Sequence, residues 1–290
     1  MTRNNIIAIS WFILSLFISV TNDATTKFLN GSTSAVVVSF WRFVFSTIVL
    51  LPIVFVFGLK SIKTSKIYYH ALRGFLLAIA ISLWAYGIKF VPISTVTLMS
   101  FTIPMFTVIM ACVFLRERVS FSTIIATTIG FIGSIIALSP KSIAFSWNAT
   151  IFLVASIFFA TLDILNKKLI NERENILPMM FFSNLFSAIF TVFIPGAIHS
   201  VFEITVKELS ILIVLGIGAN LILFCIIKAF EKANAAFLAP IRYLELIIST
   251  IIGFIFFEEN LSINIVIGGS LVILSSILID RRYDKKKSIC

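Results

Sequence analysis

The chain has 290 residues, of which 59% are hydrophobic and only 12% charged, with a mean hydropathy of +1.09. That apolar share exceeds the roughly half found in soluble domains and excludes an ordinary water-soluble fold. The formal net charge of +10 reports membrane topology rather than nucleic acid, because the basic residues gather in short segments between apolar runs.

In chain order those runs are 6–26, 35–59, 71–90, 93–115, 120–138, 147–165, 177–198, 209–227, 233–257 and 262–279. At about 1.5 Å per residue, about 20 residues cross a hydrocarbon core of about 30 Å. Backbone groups in lipid must be satisfied within the segment, so each run is predicted to be a helix. Barrel strands alternate apolar and polar residues, whereas these runs are apolar on all sides. The expected fold is therefore an all-α integral membrane protein with ten transmembrane helices. The first run has no small-residue cleavage pattern, and Asp23 interrupts the place for one, which predicts a retained helix.

Sorting the 23 Lys and Arg by loop gives an orientation. With the N-terminus in the cytoplasm, the inner segments hold Arg3, Lys60, Lys63, Lys66, Arg73, Arg116, Arg118, Lys167, Lys168, Arg173, Lys228, Lys232 and the basic tail 280–290. The outer segments hold Lys27, Lys89, Lys141 and Lys207. This bias predicts both termini inside a bacterial inner membrane, with the tail lying against anionic lipid.

The two halves, 1–140 and 141–290, resemble each other. Thr21, Asp23, Lys27 and Leu29 recur as Thr161, Asp163, Lys167 and Leu169, and Glu117 and Ser120 recur as Glu259 and Ser262. Five helices per half is odd, so the copies are expected to enter the membrane in opposite orientations. The basic loops trade sides between equivalent positions accordingly. Inverted repeats around a central site are the plan of many secondary transporters.

Several segments then carry a family resemblance: Phe40-Trp41-Arg42-Phe43, Arg73-Gly74, the run from Pro104 to Leu115 followed by Arg116-Glu117-Arg118-Val119-Ser120, and Ala239-Pro240-Ile241-Arg242-Tyr243 continuing to Gly253, Phe257 and Glu259. On these the chain resembles the EamA-type transporters of the drug/metabolite transporter superfamily over nearly its whole length. Glu258, where a small residue is usual, and Ala126, where glycine is usual, depart from the pattern. Within the superfamily the resemblance narrows to carriers that take up S-adenosylmethionine in obligate intracellular bacteria, which implies import of that substrate by alternating access.

Charges inside a bilayer are costly unless they pair or line a wet cavity, so those within spans are candidate site residues. Arg242 lies deep in the ninth run with Glu245 three residues on, on one helix face. Together they form either an internal pair or a substrate cradle, Arg242 taking a carboxylate or phosphate and Glu245 a cation. Tyr243 sits between them, and Pro240 is expected to loosen the helix just before. Asp23 and Arg42 fall at similar depth and are expected to pair, as a structural bridge or as an outer gate, with Asp163 as the equivalent of Asp23. Lys27 and Lys167 each follow an aspartate by four residues, the spacing of an intrahelical pair. Trp84 and Tyr86, near the middle of the third run, either fill the core or face a purine or a sulfonium. Asn184 and Asn220 either bridge helices or reach the cavity. Gly130, Gly133, Ser134, Gly268, Gly269 and Ser270 mark the fifth and tenth helices as scaffold or as a homodimer contact.

No enzyme motif accompanies these residues. The two histidines, His70 and His199, lie far apart, and no phosphate loop or metal-ligand cluster appears in the sequence. The expectation is a carrier with no cofactor or metal and no ATP hydrolysis of its own. Its partners are the lipid bilayer and a small metabolite. The rival readings are an exporter or exchanger of amino acids or other metabolites, and a membrane enzyme or subunit.

Overall fold

A computed structural model describes residues 3–29, 34–87, 100–138, 147–194, 205–257 and 263–278. The side chain of Lys27, and Lys89, Lys141, His199, Glu258, Glu259 and the tail 280–290, lie outside the described residues. The chain forms α1 (Arg3–Leu29), α2 (Ala35–Phe57), α3 (Ile67–Gly87), α4 (Ile103–Leu115), α5 (Phe121–Leu138), α6 (Trp147–Asn171), α7 (Ile176–Val192), α8 (Val206–Lys232), α9 (235–257) and α10 (Ile263–Leu278). Five stretches, Arg3–Thr26, Val36–Phe57, Ile67–Tyr86, Glu208–Lys232 and Ala235–Ile252, are long and apolar enough to cross a membrane.

Polar residues at the ends set the boundaries. At the start of α2 the Ser34 hydroxyl accepts the Val37 N–H at 3.3 Å. At α8 the Glu208 N–H donates to Thr205 Oγ1 at 3.3 Å while the Thr205 N–H donates to Glu208 Oε2 at 2.8 Å, a reciprocal cap that satisfies two first-turn donors. Arg116 takes a left-handed conformation (φ 50°) to end α4. The ninth helix is broken as Pro240 predicts: a short α turn, Ala235–Leu238, passes into a 3-10 segment, Ala239–Leu244, before α-helix resumes over Glu245–Phe257.

The first five helices pack chiefly on the last five: α1 on α8, α2 on α7 and α8, α3 on α6 and α7, α4 on α6, and α5 on α10. Glycines fix three crossings. A Cβ on Gly74 would strike Phe186 and the Ser187 backbone, and the Ser187 hydroxyl donates to the Gly74 carbonyl at 3.0 Å, so α3 and α7 touch backbone to backbone. In the same way a Cβ on Gly216 would strike Phe45 and the Ser46 backbone, and Ser46 donates to the Gly216 carbonyl at 3.1 Å. Gly133 and Gly268 meet where α5 crosses α10. The outward surface is apolar, with Phe55, Val56 and Phe114 each at least 70% exposed. Such a surface suits hydrocarbon, not water.

Several boundaries differ from the sequence reading: α6 runs on to Asn171 rather than ending at 165, and α8 spans Val206–Lys232 rather than 209–227. Helix α3 begins at Ile67 rather than at 71, so Arg73, counted with the inner basic segments, lies in its second turn and inside the bundle, 1% exposed. A run of Tyr, His, Ala and Leu before Arg73 is helix-competent, and its modest hydropathy hid it from a search for apolar residues.

Candidate functional site

The 3-10 segment of α9 places Arg242 beside α6, where its Nη2 donates to Asp163 Oδ2 at 2.7 Å. Both side chains are largely buried, and the guanidinium lies over the Phe12 ring at 5.7 Å from its centroid. Spacing within α9 points to Glu245 as the partner of Arg242, but the ion pair forms across helices instead. Glu245 lines the same cavity and, among the described residues, accepts no hydrogen bond. Lys167 likewise does not pair with Asp163. Its amine donates to the carbonyls of Phe230 at 2.6 Å and Ala233 at 2.8 Å.

That cavity, about 210 Å³, lies between α1, α2, α3, α6, α7, α8, α9 and the start of α4 at Ile103. Its charged wall consists of Asp23, Arg42, Arg73, Asp163, Arg242 and Glu245. Aromatic surface comes from Phe12, Phe43, Trp84 and Phe159. Trp84 is held edge-on by Phe152 at 5.2 Å and Phe159 at 5.7 Å, so its ring is fixed in place before any solute arrives.

Asp23 and Arg42 face each other within electrostatic reach but make no direct ion pair among the described residues. Asn184 also lines the cavity and donates to Asn220 Oδ1 at 2.8 Å. Asn220 stands behind it, anchored to the Ser46 carbonyl at 2.7 Å. Two sequence candidates lie elsewhere. Tyr86 is 50% exposed on the other side of α3 from Trp84, and Tyr243 is fully buried against Phe101 and under Gly130. Three buried polar atoms lack a hydrogen-bond partner and belong to cavity-lining residues: Arg42 Nε, Arg73 Nε and Asn166 Oδ1. Buried polar groups are nearly always satisfied, so three in residues lining one cavity mark a place for water or a polar solute.

The cavity runs from mid-bundle toward the end where α1 finishes, as Thr26, Val38 and Ala85 show. At the opposite end, where α1 begins, two polar clamps close the bundle. In the first, Lys66 bridges Glu172 at 2.9 Å and Glu174 at 4.0 Å, His70 Nε2 lies 3.5 Å from Glu174, and Arg73 donates to the Met179 carbonyl at 2.9 Å. In the second, the Glu117 carboxylate accepts the N–H groups of Ala235 at 3.2 Å and Ala236 at 3.0 Å, capping the start of α9, while Lys167 holds the end of α8. Burial raises the Glu117 carboxyl above its ordinary range, and the two backbone donors and Lys167 pull it back. The sequence reading counted Lys66, Arg73, Lys167 and Glu117 as loop charges or as motif. Their partners lie in other helices, which residue spacing along one helix does not reveal.

A bundle of apolar helices around a charged, partly aromatic cavity, sealed at one end by breakable polar contacts, is the architecture of a membrane carrier for a small polar solute. The family model described as the EamA-like transporter family matches residues 6–139 and again 146–280. The chain belongs to the EamA-like transporter family. It is 39% identical to the S-adenosylmethionine uptake transporter of Rickettsia bellii over 98% of this chain and 96% of that one. The protein of the same name from Rickettsia prowazekii is also 39% identical, over 97% and 94%. The riboflavin transporter of Brucella anthropi is 29% identical over 86% and 88%. A solved crystal structure of 14% identity shares the fold, with a TM-score of 0.74 over 96% of this chain and 95% of that one.

Proposed function

We propose that this chain is a secondary transporter that imports S-adenosylmethionine across a bacterial inner membrane by alternating access, without hydrolysing ATP. The observation that carries the reading is one cavity lined by unsatisfied and charged groups, Arg42, Arg73, Asn166, Asp23 and Glu245, together with the ring of Trp84. S-adenosylmethionine carries a carboxylate, an ammonium, a sulfonium and a purine, and each finds a complementary group there. Full-length likeness to the rickettsial uptake transporters supports the same substrate.

An inverted five-helix repeat supports alternation. Gly74 on Ser187 and Gly216 on Ser46 are the same contact at offsets of about 140 residues, once in each direction, and the family model matches each half. With both termini cytoplasmic, the clamped end faces inward and the cavity faces outward, the arrangement that receives an imported solute. Apolar flanks face lipid, and the outer face of α5 and α10 is the surface available to a second copy.

Cells expressing the chain are expected to accumulate labelled S-adenosylmethionine saturably, with Arg242→Ala and Glu245→Ala each abolishing uptake although the protein reaches the membrane. Competition by S-adenosylmethionine but not by methionine or adenosine supports the reading. Competition by riboflavin alone favours the alternative substrate carried by the Brucella anthropi relative's name, and inhibition by none returns the chain to the family level.

A further inference from the structure

Resting on the proposed substrate, we infer that Asp23 and Glu245 are the specificity-determining carboxylates of this cavity, selecting a substrate with one net positive charge, and that Arg42, not Arg242, receives the substrate carboxylate.

Formal charge in the cavity is mostly compensated from within. Arg242 is committed to Asp163 at 2.7 Å, a contact that leaves neither charge free for a solute. Arg73 belongs to the neighbouring clamp: it donates to the Met179 carbonyl and interacts electrostatically with Glu174, while Lys66 bridges Glu172 and Glu174, so the two cations and two carboxylates there offset each other. What is left on the wall is one cation, Arg42, and two carboxylates, Asp23 and Glu245, none of them in a direct ion pair among the described residues. The remainder is one formal negative charge.

Placement matches this count. Asp23 and Glu245 stand near enough to act on each other electrostatically, and like charges so placed are relieved by a cation between them. Arg42 interacts electrostatically with Asp23 and keeps a buried Nε, a donor for which the described residues supply no acceptor. A solute with a carboxylate at one end and two positive groups beside it satisfies all three residues. S-adenosylmethionine has that charge set and a net charge of +1. Its demethylated thioether, S-adenosylhomocysteine, has the same carboxylate, ammonium and purine but no sulfonium, and is neutral overall. The cavity therefore discriminates between two molecules that differ by one methyl group through charge rather than through size.

The test is calorimetric binding to the detergent-purified full chain, with S-adenosylmethionine, S-adenosylhomocysteine and decarboxylated S-adenosylmethionine as probes. Wild-type protein is expected to bind S-adenosylmethionine about tenfold or more tightly than S-adenosylhomocysteine, the factor that one charge-assisted contact supplies. Asp23→Asn and Glu245→Gln, both close to isosteric, are each expected to shrink that ratio severalfold. Arg42→Gln is expected to weaken both carboxylated probes alike while sparing the decarboxylated one. Equal wild-type affinity for S-adenosylmethionine and S-adenosylhomocysteine overturns the inference without any variant. An unchanged ratio in both carboxylate variants overturns it while leaving the proposed substrate standing. No wild-type binding of S-adenosylmethionine removes the proposed substrate and this assignment together.

Discussion

The Arg242–Asp163 pair illustrates what residue spacing along one chain conveys and what it leaves out. Arg242, Asp163, Asp23, Arg42 and Glu245 were all legible as candidates because charge within an apolar run is costly and needs a compensating group. Which charge compensates which was not legible, since a spacing of three or four residues reports only on one helix face. The partner of Arg242 proved to be on α6, 79 residues earlier in the chain. Trp84 and Tyr86 hold a simpler lesson. Two residues apart on an α-helix is about 200° of rotation, so the pair could not share a face, and only Trp84 reaches the cavity. Removing one partner of a buried ion pair strands the other, at about 3–5 kcal/mol, whereas removing both leaves no buried charge. Asp163→Asn is expected to lower the thermal midpoint of the detergent-purified protein markedly, and adding Arg242→Gln is expected to recover part of the loss. A double variant no more stable than the single one contradicts this pairing.

At the scale of helices, composition located α1 to α10 because apolar length is set by membrane thickness. It located the break in α9 as well, because Pro240 removes a donor and disfavours regular α geometry before it. It misplaced the start of α3, where the first turn is polar enough to resemble a loop yet packs against α7. The glycines of α5 and α10 were read as either scaffold or dimer contact, and the structure separates them by face. A Cβ on Gly268 would run into the Gly133 carbonyl and the Ala137 backbone, while Gly269 next to it meets nothing within 4 Å. Backbone obstacles cannot rotate away. Gly268→Val is expected to destabilise by at least the ~1–3 kcal/mol of ordinary overpacking, and Gly269→Ala to stay within ~0.5 kcal/mol of wild type. Monodispersity on fluorescence-detected size exclusion after graded heating measures both, and equal losses would place the α5–α10 crossing elsewhere.

Across the whole molecule, each half contributes the surfaces that the other needs, since nearly every principal helix contact joins the first five helices to the last five. The cavity is the gap left where these interleaved halves do not touch, and at its closed end a few polar contacts are set among packed apolar side chains such as Leu50, Leu169, Met179 and Phe230. Lys167 makes one of these polar contacts, 7% exposed with its amine held by two carbonyls of the α8–α9 corner. That burial turns the residue into a chemical reporter. While the corner is clamped, an amine-acylating reagent has no path to the Lys167 nitrogen; the proposed alternating access predicts that the same nitrogen is uncovered when this end opens. Labelling in membranes followed by peptide mass spectrometry is expected to show Lys167 modified slowly at rest and faster during turnover, against the steady labelling of the exposed Lys232. Reaction at Lys232's rate without substrate would mean that the corner is open at rest. One side chain thus converts an otherwise invisible movement of the bundle into a countable mass shift.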